Sequence, residues 1–243
     1  LTGQYPLTHG VFINDVPIGS HPVALGDAFV SAGYQTAYIG KWHVNAHGRT
    51  QPIPPHRRLG FQHWQVLECT HAYNHSPYYE GDETTKKLWD GYDAFAQTRA
   101  AKRFIKEHNA EQPFALVLSW GPPHNPYQTA PSEFRELYDP AKLTLRPNVP
   151  PECEAQARVD LPGYYAHCSA LDQCVKELLE TLEETGLADE TIFVFTSDHG
   201  DMLGSHGEQF KQRPGGEAGL GPFLLRAPML FWRQERQCES LIK

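Results

Sequence analysis

The sequence lacks the short motifs that mark the common nucleotide-dependent and serine-dependent enzymes. It contains no glycine-rich phosphate loop of the Walker or dinucleotide type and no G-x-S-x-G nucleophile elbow. None of its five cysteines forms a C-x-x-C pair, so a cysteine-rich metal site is not indicated and the redox compartment stays undecided. The chemistry of this chain must therefore be sought in other residues.

Long hydrophobic runs and an excess of positive charge are also missing. No apolar stretch is long enough to span a bilayer, so we predict no membrane span. The lack of a signal peptide carries little weight, because the sequence begins without an initiator methionine and reads as an internal piece. The formal net charge of -8 argues against a general nucleic-acid partner, although a few local cations and a metal could still hold an anionic substrate. With 243 residues, of which 40% are hydrophobic, the chain is long enough for one large globular domain.

One short apolar run ends in a dense group of potential ligands. Ile192–Phe195 is β-branched and aromatic without polar alternation, which predicts a strand covered on both faces. Asp198 and His199 follow it, at the strand end where open α/β sheets place their ligands. A carboxylate beside an imidazole suits a divalent cation, although an Asp-His pair that caps a helix is an equally ordinary interpretation.

Two further strands end in charged or titratable residues. The predicted strand Thr36–Ile39 leads into Lys41 and His43, and the predicted buried strand Phe114–Trp120 leads into His124 in a proline-rich loop. Taken singly, these would be a solvated lysine and satisfied loop histidines. If the strands are parallel, however, all of these groups meet along one edge of the sheet.

The remaining segments complete an α/β pattern. The region from Asn45 to Asp93 is predicted to be a long loop, and its aromatic run His71–Tyr79 either lines a substrate pocket or pins the loop to the domain. Helices are predicted over Trp89–His108 and Gly163–Gly186, the second with an apolar face and an acidic, solvated face. Alternation of helices and strands indicates an α/β fold with a central, largely parallel sheet flanked by helices.

The motifs at these strand ends resemble those of the type I sulfatases. The stretch Gly33–His43, which reads GYQTAYIGKWH, is similar to the second signature of that family throughout its length, and Leu1–Gly3 is similar to the end of the first signature. The PHNP sequence at His124 and the TSDHG sequence at Asp198, followed by Lys211, fall where the family has its other site residues. The resemblance implies the sandwich fold of the alkaline phosphatase-like superfamily.

The resemblance also implies a role for each matching residue. Asp198 and His199 would be ligands of Ca²⁺, with Mg²⁺ or another divalent cation as alternatives. Lys41 would contact the nucleophile and a sulfate oxygen, while His43 would orient or deprotonate the nucleophile.

Two further residues would bind the sulfate and assist departure of the alcohol, namely His124 and Lys211. His206 is a weaker candidate for substrate binding, because a surface position or one behind the site is equally plausible. Such a set of cations suits sulfate transfer, in which negative charge spreads over the equatorial oxygens.

The expected function is therefore hydrolysis of a sulfate ester, on a sulfated small molecule or glycan. The family uses a formylglycine, made by a formylglycine-generating enzyme from a Cys or Ser that would lie before Leu1. The two alternatives are a phosphodiester or phosphonate monoester hydrolase and a non-catalytic homologue that binds a sulfated glycan.

Residues 1–243 are accordingly interpreted as a partial catalytic domain. It lacks the segment that carries the nucleophile and the C-terminal subdomain, so the fold is expected to be incomplete at both ends and the piece alone to be inactive. The resemblance suggests a periplasmic or secreted protein, and the oligomeric state is left open.

Overall fold

The computed structural model shows a mixed α/β protein, which confirms the predicted fold class. It describes residues 1–11, 13–19, 23–211 and 229–232, and it divides into a first unit, Leu1–Pro122, and a second unit, Pro123–Lys243. The glycine-rich segment that follows Lys211 and the cysteine at position 238 lie outside the described residues. Each unit is described below by itself.

The described residues of the first unit include three α-helices and five strands. Its helices are α1 (Pro6–His9), α2 (Leu25–Ser31) and α3 (Asp93–Glu107). Its strands are β1 (Gln35–Lys41), β2 (His63–Leu67), β3 (Pro77–Glu80), β4 (Lys87–Leu88) and β5 (Phe114–Ser119).

These strands form one sheet in the order β4-β3-β2-β1-β5. β1 is parallel to both of its neighbours, with Gly40 opposite Val66 of β2 and Ser119 of β5, whereas β3 and β4 add antiparallel pairs at the far edge. The carboxyl ends of β1, β2 and β5 therefore lie at the same edge of the sheet. This arrangement places Lys41 beside the end of β5, as the sequence predicts.

β1 is the buried centre of the first unit. Its five inner residues are all buried, because β-branched and aromatic side chains on both faces are covered by neighbouring elements. Four aromatic residues, Tyr38, Trp42, Phe61 and Trp64, pack edge-on or tilted against one another on one side of the strand. Edge-on aromatic pairs add about 1 kcal/mol each beyond the burial of their area.

Two predictions about buried strands are wrong within the described residues. All residues of β5 are half-buried, because β5 lies at the edge of the sheet and, among the described strands, pairs only with β1. The predicted Ile192–Phe195 strand is β6 (Phe193–Thr196), which pairs with β7 (Met229–Trp232) in an antiparallel two-stranded sheet. Val194 is 47% exposed, since a strand in such a ribbon is not covered on both faces.

The predicted long loop from Asn45 to Asp93 contains β2, β3 and β4, so it is part of the sheet. Its aromatic residues are mainly structural: Tyr73 and Tyr79 are buried, and Tyr78 stacks on Trp89 with ring centroids 3.8 Å apart. Of the two interpretations of the aromatic run, the structure favours the one in which the rings pin the segment to the domain.

The second unit is built around a long helix. Its helices are α4 (Ser132–Arg135) and α5 (Pro151–Glu184), and α5 starts well before the predicted Gly163. Gly163 permits α5 to approach the short 3₁₀ turn Tyr127–Thr129, since a Cβ there would lie 2.5 Å from the carbonyl oxygen of Tyr127. Among the helices that the structure describes, none is both long and apolar enough to cross a membrane.

Candidate functional site

The first group of candidate residues begins at a glycine in β1. Gly40 has a φ of +110°, and a Cβ on it would lie 2.1 Å from the carbonyl oxygen of Ser119. Only glycine fits this conformation and this close approach to β5. Lys41, the last residue of β1, is thus held by its own pairing with Leu67 of β2 and by the pairing of the preceding Gly40 with Ser119 of β5.

Trp42 anchors the chain between the two candidate side chains of this unit. It is buried in the aromatic cluster, and its backbone N–H donates to the carbonyl oxygen of Leu67 at 2.9 Å. The hydroxyl of Tyr38 donates to the carbonyl oxygen of Lys41, also at 2.9 Å. His43, with a φ of +55°, then donates its backbone N–H to Glu68 at 2.9 Å, so Lys41 and His43 extend from a rigid backbone.

Glu68 holds the turn that follows His43. Its carboxylate accepts the backbone N–H groups of Asn45 and Ala46 at 2.8 and 2.7 Å, although the residue is almost wholly buried. Burial raises the pKa of this carboxyl group, and the two backbone donors act in the opposite direction.

A small internal cavity of about 10 Å³ lies next to Lys41, with room for about one water molecule. Asp93 and Gln97 line it from α3, and each has one buried oxygen atom without a hydrogen-bond partner among the described residues. Burial raises the pKa of Asp93 to about 7. The carboxyl group beside Lys41 therefore titrates close to neutral pH.

In the second unit, a histidine follows the end of β5 along the chain. His124 has its Nδ1 atom 3.0 Å from the carbonyl oxygen of Asn125, which favours a proton on Nδ1. The Asn125–Pro126 peptide bond is cis. The ring of His124 lies 6.0 Å from the ring of His199, centroid to centroid, so two predicted site residues meet here.

Lys211 and His199, which lie in the same unit, are joined by a hydrogen bond. The ammonium of Lys211 donates to Nε2 of His199 at 2.8 Å, and Nδ1 of His199 lies 2.7 Å from the carbonyl oxygen of Gly200. Because an ammonium group only donates, Nε2 is the acceptor of the first bond, and the carbonyl oxygen of Gly200 is the acceptor of the second. Asp198 lies beside this pair, with Oδ2 at 3.5 Å from Nε2 of His199.

The described residues do not complete a calcium site. Ca²⁺ takes about six to eight oxygen ligands, and of the two predicted ligands only Asp198 offers a carboxylate. Both ring nitrogens of His199 are engaged, with Lys211 and Gly200. Within the described part of the chain there is no group of three or more His, Cys, Asp or Glu residues that could hold a metal ion. The metal assignment of Asp198 and His199 thus stays a prediction.

His206 is hydrogen-bonded to Asn148. Its side chain is exposed, its Nε2 lies 3.0 Å from the amide nitrogen of Asn148, and its backbone N–H donates to the Asn148 carbonyl oxygen. These bonds tie one loop to another. A role for His206 in substrate binding stays a prediction.

Sequence reasoning missed several residues around the candidate groups. In the first unit these are Asp15, which lies 3.7 Å from the ring of His43, and the buried Asp93. In the second unit the missed contact joins the hydroxyl of Tyr127 to Asp201 at 2.7 Å. No motif marks them, because each contact joins positions that are distant in the sequence.

Comparison with known proteins places the chain in one family. The family model described as Sulfatase matches residues 1–239. An ulvan-active sulfatase of Formosa agariphila is 41% identical over 231 residues, which cover 94% of this chain and 45% of that protein. The chain spans about half the length of the curated relatives that it matches.

Solved structures give the same result. The yidJ sulfatase-type protein of Bacteroides fragilis superposes with a TM-score of 0.82 at 28% identity, covering 95% of this chain and 55% of that one. A complex of Ps i-CgsB with k-i-k-neocarrahexaose superposes with a TM-score of 0.64 at 25% identity, covering 95% and 52%. The chain belongs to the sulfatase family.

Proposed function

We propose that the whole protein is a sulfuric ester hydrolase that acts on a sulfated glycan. The observation that carries this proposal is the group of His124, His199 and Lys211 in a chain of the sulfatase family. The glycan preference is supported by the relative described as ulvan-active and by the similar structure that holds neocarrahexaose.

Some residues of this chain would assist attack of the nucleophile on the sulfate ester, and others would assist departure of the alcohol. The ammonium groups of Lys41 and Lys211 would attract sulfate oxygens, where negative charge grows during transfer. His43 would orient the nucleophile or accept its proton. A formylglycine upstream of Leu1, made by a formylglycine-generating enzyme, would supply the attacking oxygen.

His124 would serve the leaving alcohol. With the carbonyl oxygen of Asn125 at Nδ1, Nε2 would be the nitrogen that passes a proton to the departing oxygen. As the nucleophile's oxygen bonds to sulfur, the bond between sulfur and the alcohol oxygen would break, and the alcohol would gain this proton. A bond of the sulfated nucleophile would then break to free inorganic sulfate, so that the net reaction consumes one water molecule.

The proposal includes a divalent cation, Ca²⁺ in the first instance, with Asp198 as one of its ligands. Adding Ca²⁺ should raise the melting temperature of the wild-type protein more than that of Asp198→Asn, whereas Asp172→Asn on the exposed face of α5 should respond like the wild type. Equal responses in all three proteins would remove Asp198 from the ligand set.

The decisive experiment measures sulfate release by the purified full-length protein from ulvan, an aryl sulfate and, as the alternative substrate, an aryl phosphonate. Lys41→Ala and Lys211→Ala should each lower kcat/KM by about 100- to 1000-fold. The exposed lysines of Lys86→Ala and Lys176→Ala are matched controls in the two units.

Three other outcomes would contradict the proposal. Faster turnover of the phosphonate would favour the phosphonate hydrolase. Glycan binding without sulfate release would favour the non-catalytic homologue. Peptide mass mapping that finds neither formylglycine nor its Cys or Ser precursor before Leu1 would remove the proposed nucleophile.

A further inference from the structure

Asp15 lies between a candidate catalytic histidine and an arginine. Its Oδ1 atom is 3.7 Å from Nε2 of His43, while Arg49 donates to both carboxylate oxygens, at 3.1 Å from Nε and 2.6 Å from Nη2. The Arg49 pair is bidentate, which fixes the plane of the carboxylate. The contact with His43 is longer than a hydrogen bond, so it acts through charge.

The backbone holds all three groups in place. The backbone N–H of Ile18 donates to the carbonyl oxygen of Val44 at 2.9 Å, which ties the segment of Asp15 to the chain just after His43. The carbonyl oxygen of Arg49 accepts the N–H of Cys69 at 3.0 Å. His43 is largely buried, with 19% of its side chain exposed, whereas Asp15 remains 45% exposed.

The carboxyl groups of Asp15 and Glu68 differ in their effect on His43. The Arg49 guanidinium lowers the pKa of Asp15, so the Asp15 carboxyl is ionised at neutral pH. Glu68 is the other carboxyl group coupled to Asp15, but burial raises its pKa and its backbone donors turn it toward Asn45 and Ala46. Asp15 is therefore an ionised carboxylate that lies 3.7 Å from the imidazole of His43.

We propose that Asp15 is a positioning residue for His43, in that its carboxylate favours a proton on Nε2 and stabilises the imidazolium form, while Arg49 limits this effect. The inference rests on the proposed function for its catalytic meaning. Its electrostatic part, the coupling of Asp15 to His43, stands on the geometry alone.

The first test replaces the charge without changing the shape. Asp15→Asn should lower kcat/KM for the sulfate ester by about 10- to 100-fold and move the titration of His43 to lower pH. Asp15→Glu, which restores the carboxylate, should recover part of both effects. A merely structural role for Asp15 would not move the titration.

The second variant should shift the titration of His43 in the opposite direction. Arg49→Gln removes the cation that competes for Asp15, so His43 should titrate at higher pH than in the wild type. Asp82→Asn is the matched control, because Asp82 pairs with Arg58 in the same unit, at 2.8 Å, and has no part in the candidate site. It should change neither the rate nor the histidine titration.

The histidine titration is measured by NMR on the intact protein, with the His43 signal assigned by its loss in His43→Gln. This readout needs no turnover, so it separates the two ideas: an inactive wild type defeats the proposed function alone. An unchanged His43 titration in Asp15→Asn, with melting temperature preserved, would overturn the role of Asp15.

Discussion

The two units hold their candidate residues by different means. In the first unit, Lys41 and His43 leave a strand with a neighbour on each side, and inner residues of β1 such as Ile39 have no exposed surface. In the second unit, Asp198 leaves a half-exposed strand of a two-stranded ribbon, and α5 carries most of the buried hydrophobic residues that the structure describes there. A sheet fixes one group through backbone pairing, whereas side-chain hydrogen bonds fix the other.

The units also bury titratable groups of opposite kinds. The first unit buries Asp93, whose pKa is raised to about 7 because burial disfavours the charged carboxylate. The second unit buries His167, whose pKa is lowered to about 4 because burial disfavours the imidazolium. The first unit should therefore lose stability as pH rises and the second as pH falls.

The largest effect should come from the backbone contact that defines the first unit. Gly40→Ala would place a Cβ 2.1 Å from the carbonyl oxygen of Ser119 at a φ of +110°, so β1 and β5 must separate. We expect a loss of at least about 4 kcal/mol in the free energy of unfolding, measured by chemical denaturation. Gly33→Ala, with a φ of +86° and no atom within 4 Å, should lose only about 1 to 2 kcal/mol.

The matching change in the second unit is Gly163→Ala, where the new Cβ would meet the carbonyl oxygen of Tyr127 at 2.5 Å. A helix can shift away from a turn more readily than a central strand can leave its sheet, so we expect about 1 to 3 kcal/mol. An equal or larger loss than for Gly40→Ala would contradict the distinction between the units.

The next largest effect concerns Asp93. The unfolded chain releases the Asp93 proton near pH 4, but the folded protein keeps it to about pH 7. The wild type should thus lose about 4 kcal/mol of stability between these pH values, at about 1.4 kcal/mol per pKa unit. Asp93→Asn should remove this loss and be more stable than the wild type at pH 8.

Hydrogen exchange of peptides from α3, compared at pH 5 and pH 8, measures this difference within the first unit. Asp90→Asn is the control, because Asp90 is fully exposed a few residues away. A pH response of Asp93→Asn equal to that of the wild type would show that Asp93 is ionised in the folded protein.

His167 should produce the opposite, smaller response in the second unit. Its pKa of about 4 lies below the ordinary value of 6.5, so its contribution is present above pH 6.5 and is lost as pH falls toward 4. The loss over that window is about 3 kcal/mol, at about 1.4 kcal/mol per pKa unit. His167→Gln, which cannot be protonated, should flatten the acid response of α5 peptides in hydrogen exchange and leave α3 peptides unchanged.

The elements that the sequence predicted well are those whose composition decides their structure locally. β1 was predictable because its apolar run is short and ends at Gly40, and α3 because its apolar residues recur at helical spacing. α5 was predicted too short, because Pro162 and Gly163 usually interrupt a helix. Here the close packing of Gly163 against Tyr127 stabilises the continuous helix. No local sequence pattern encodes that contact.

The candidate site likewise contains residues that short stretches of sequence predict and residues that they do not. Lys41, His43, His124 and Lys211 were named from strand ends and from a family resemblance, and both kinds of evidence lie within short stretches of sequence. The place of Asp15 beside His43 depends on the path of the whole N-terminal segment. The half-exposure of β6 likewise depends on which strand pairs with it, and composition does not determine that choice.

The smallest effect tests the side-chain bonds of the second unit. The Tyr127 hydroxyl donates to the Asp201 carboxylate at 2.7 Å, and the Leu203 N–H donates to the other carboxylate oxygen at 3.1 Å. Tyr127→Phe removes the first bond and should cost about 1.5 kcal/mol, because a hydrogen bond to a charged acceptor exceeds a neutral one. Tyr138→Phe, which removes a neutral bond to the Ser169 hydroxyl at 2.6 Å, should cost about 0.5 to 1 kcal/mol. Chemical denaturation measures the free energy of unfolding of both variants. Equal losses would mean that the hydrogen bond to Asp201 is no stronger than an ordinary one and does not specially hold the loop that follows His199.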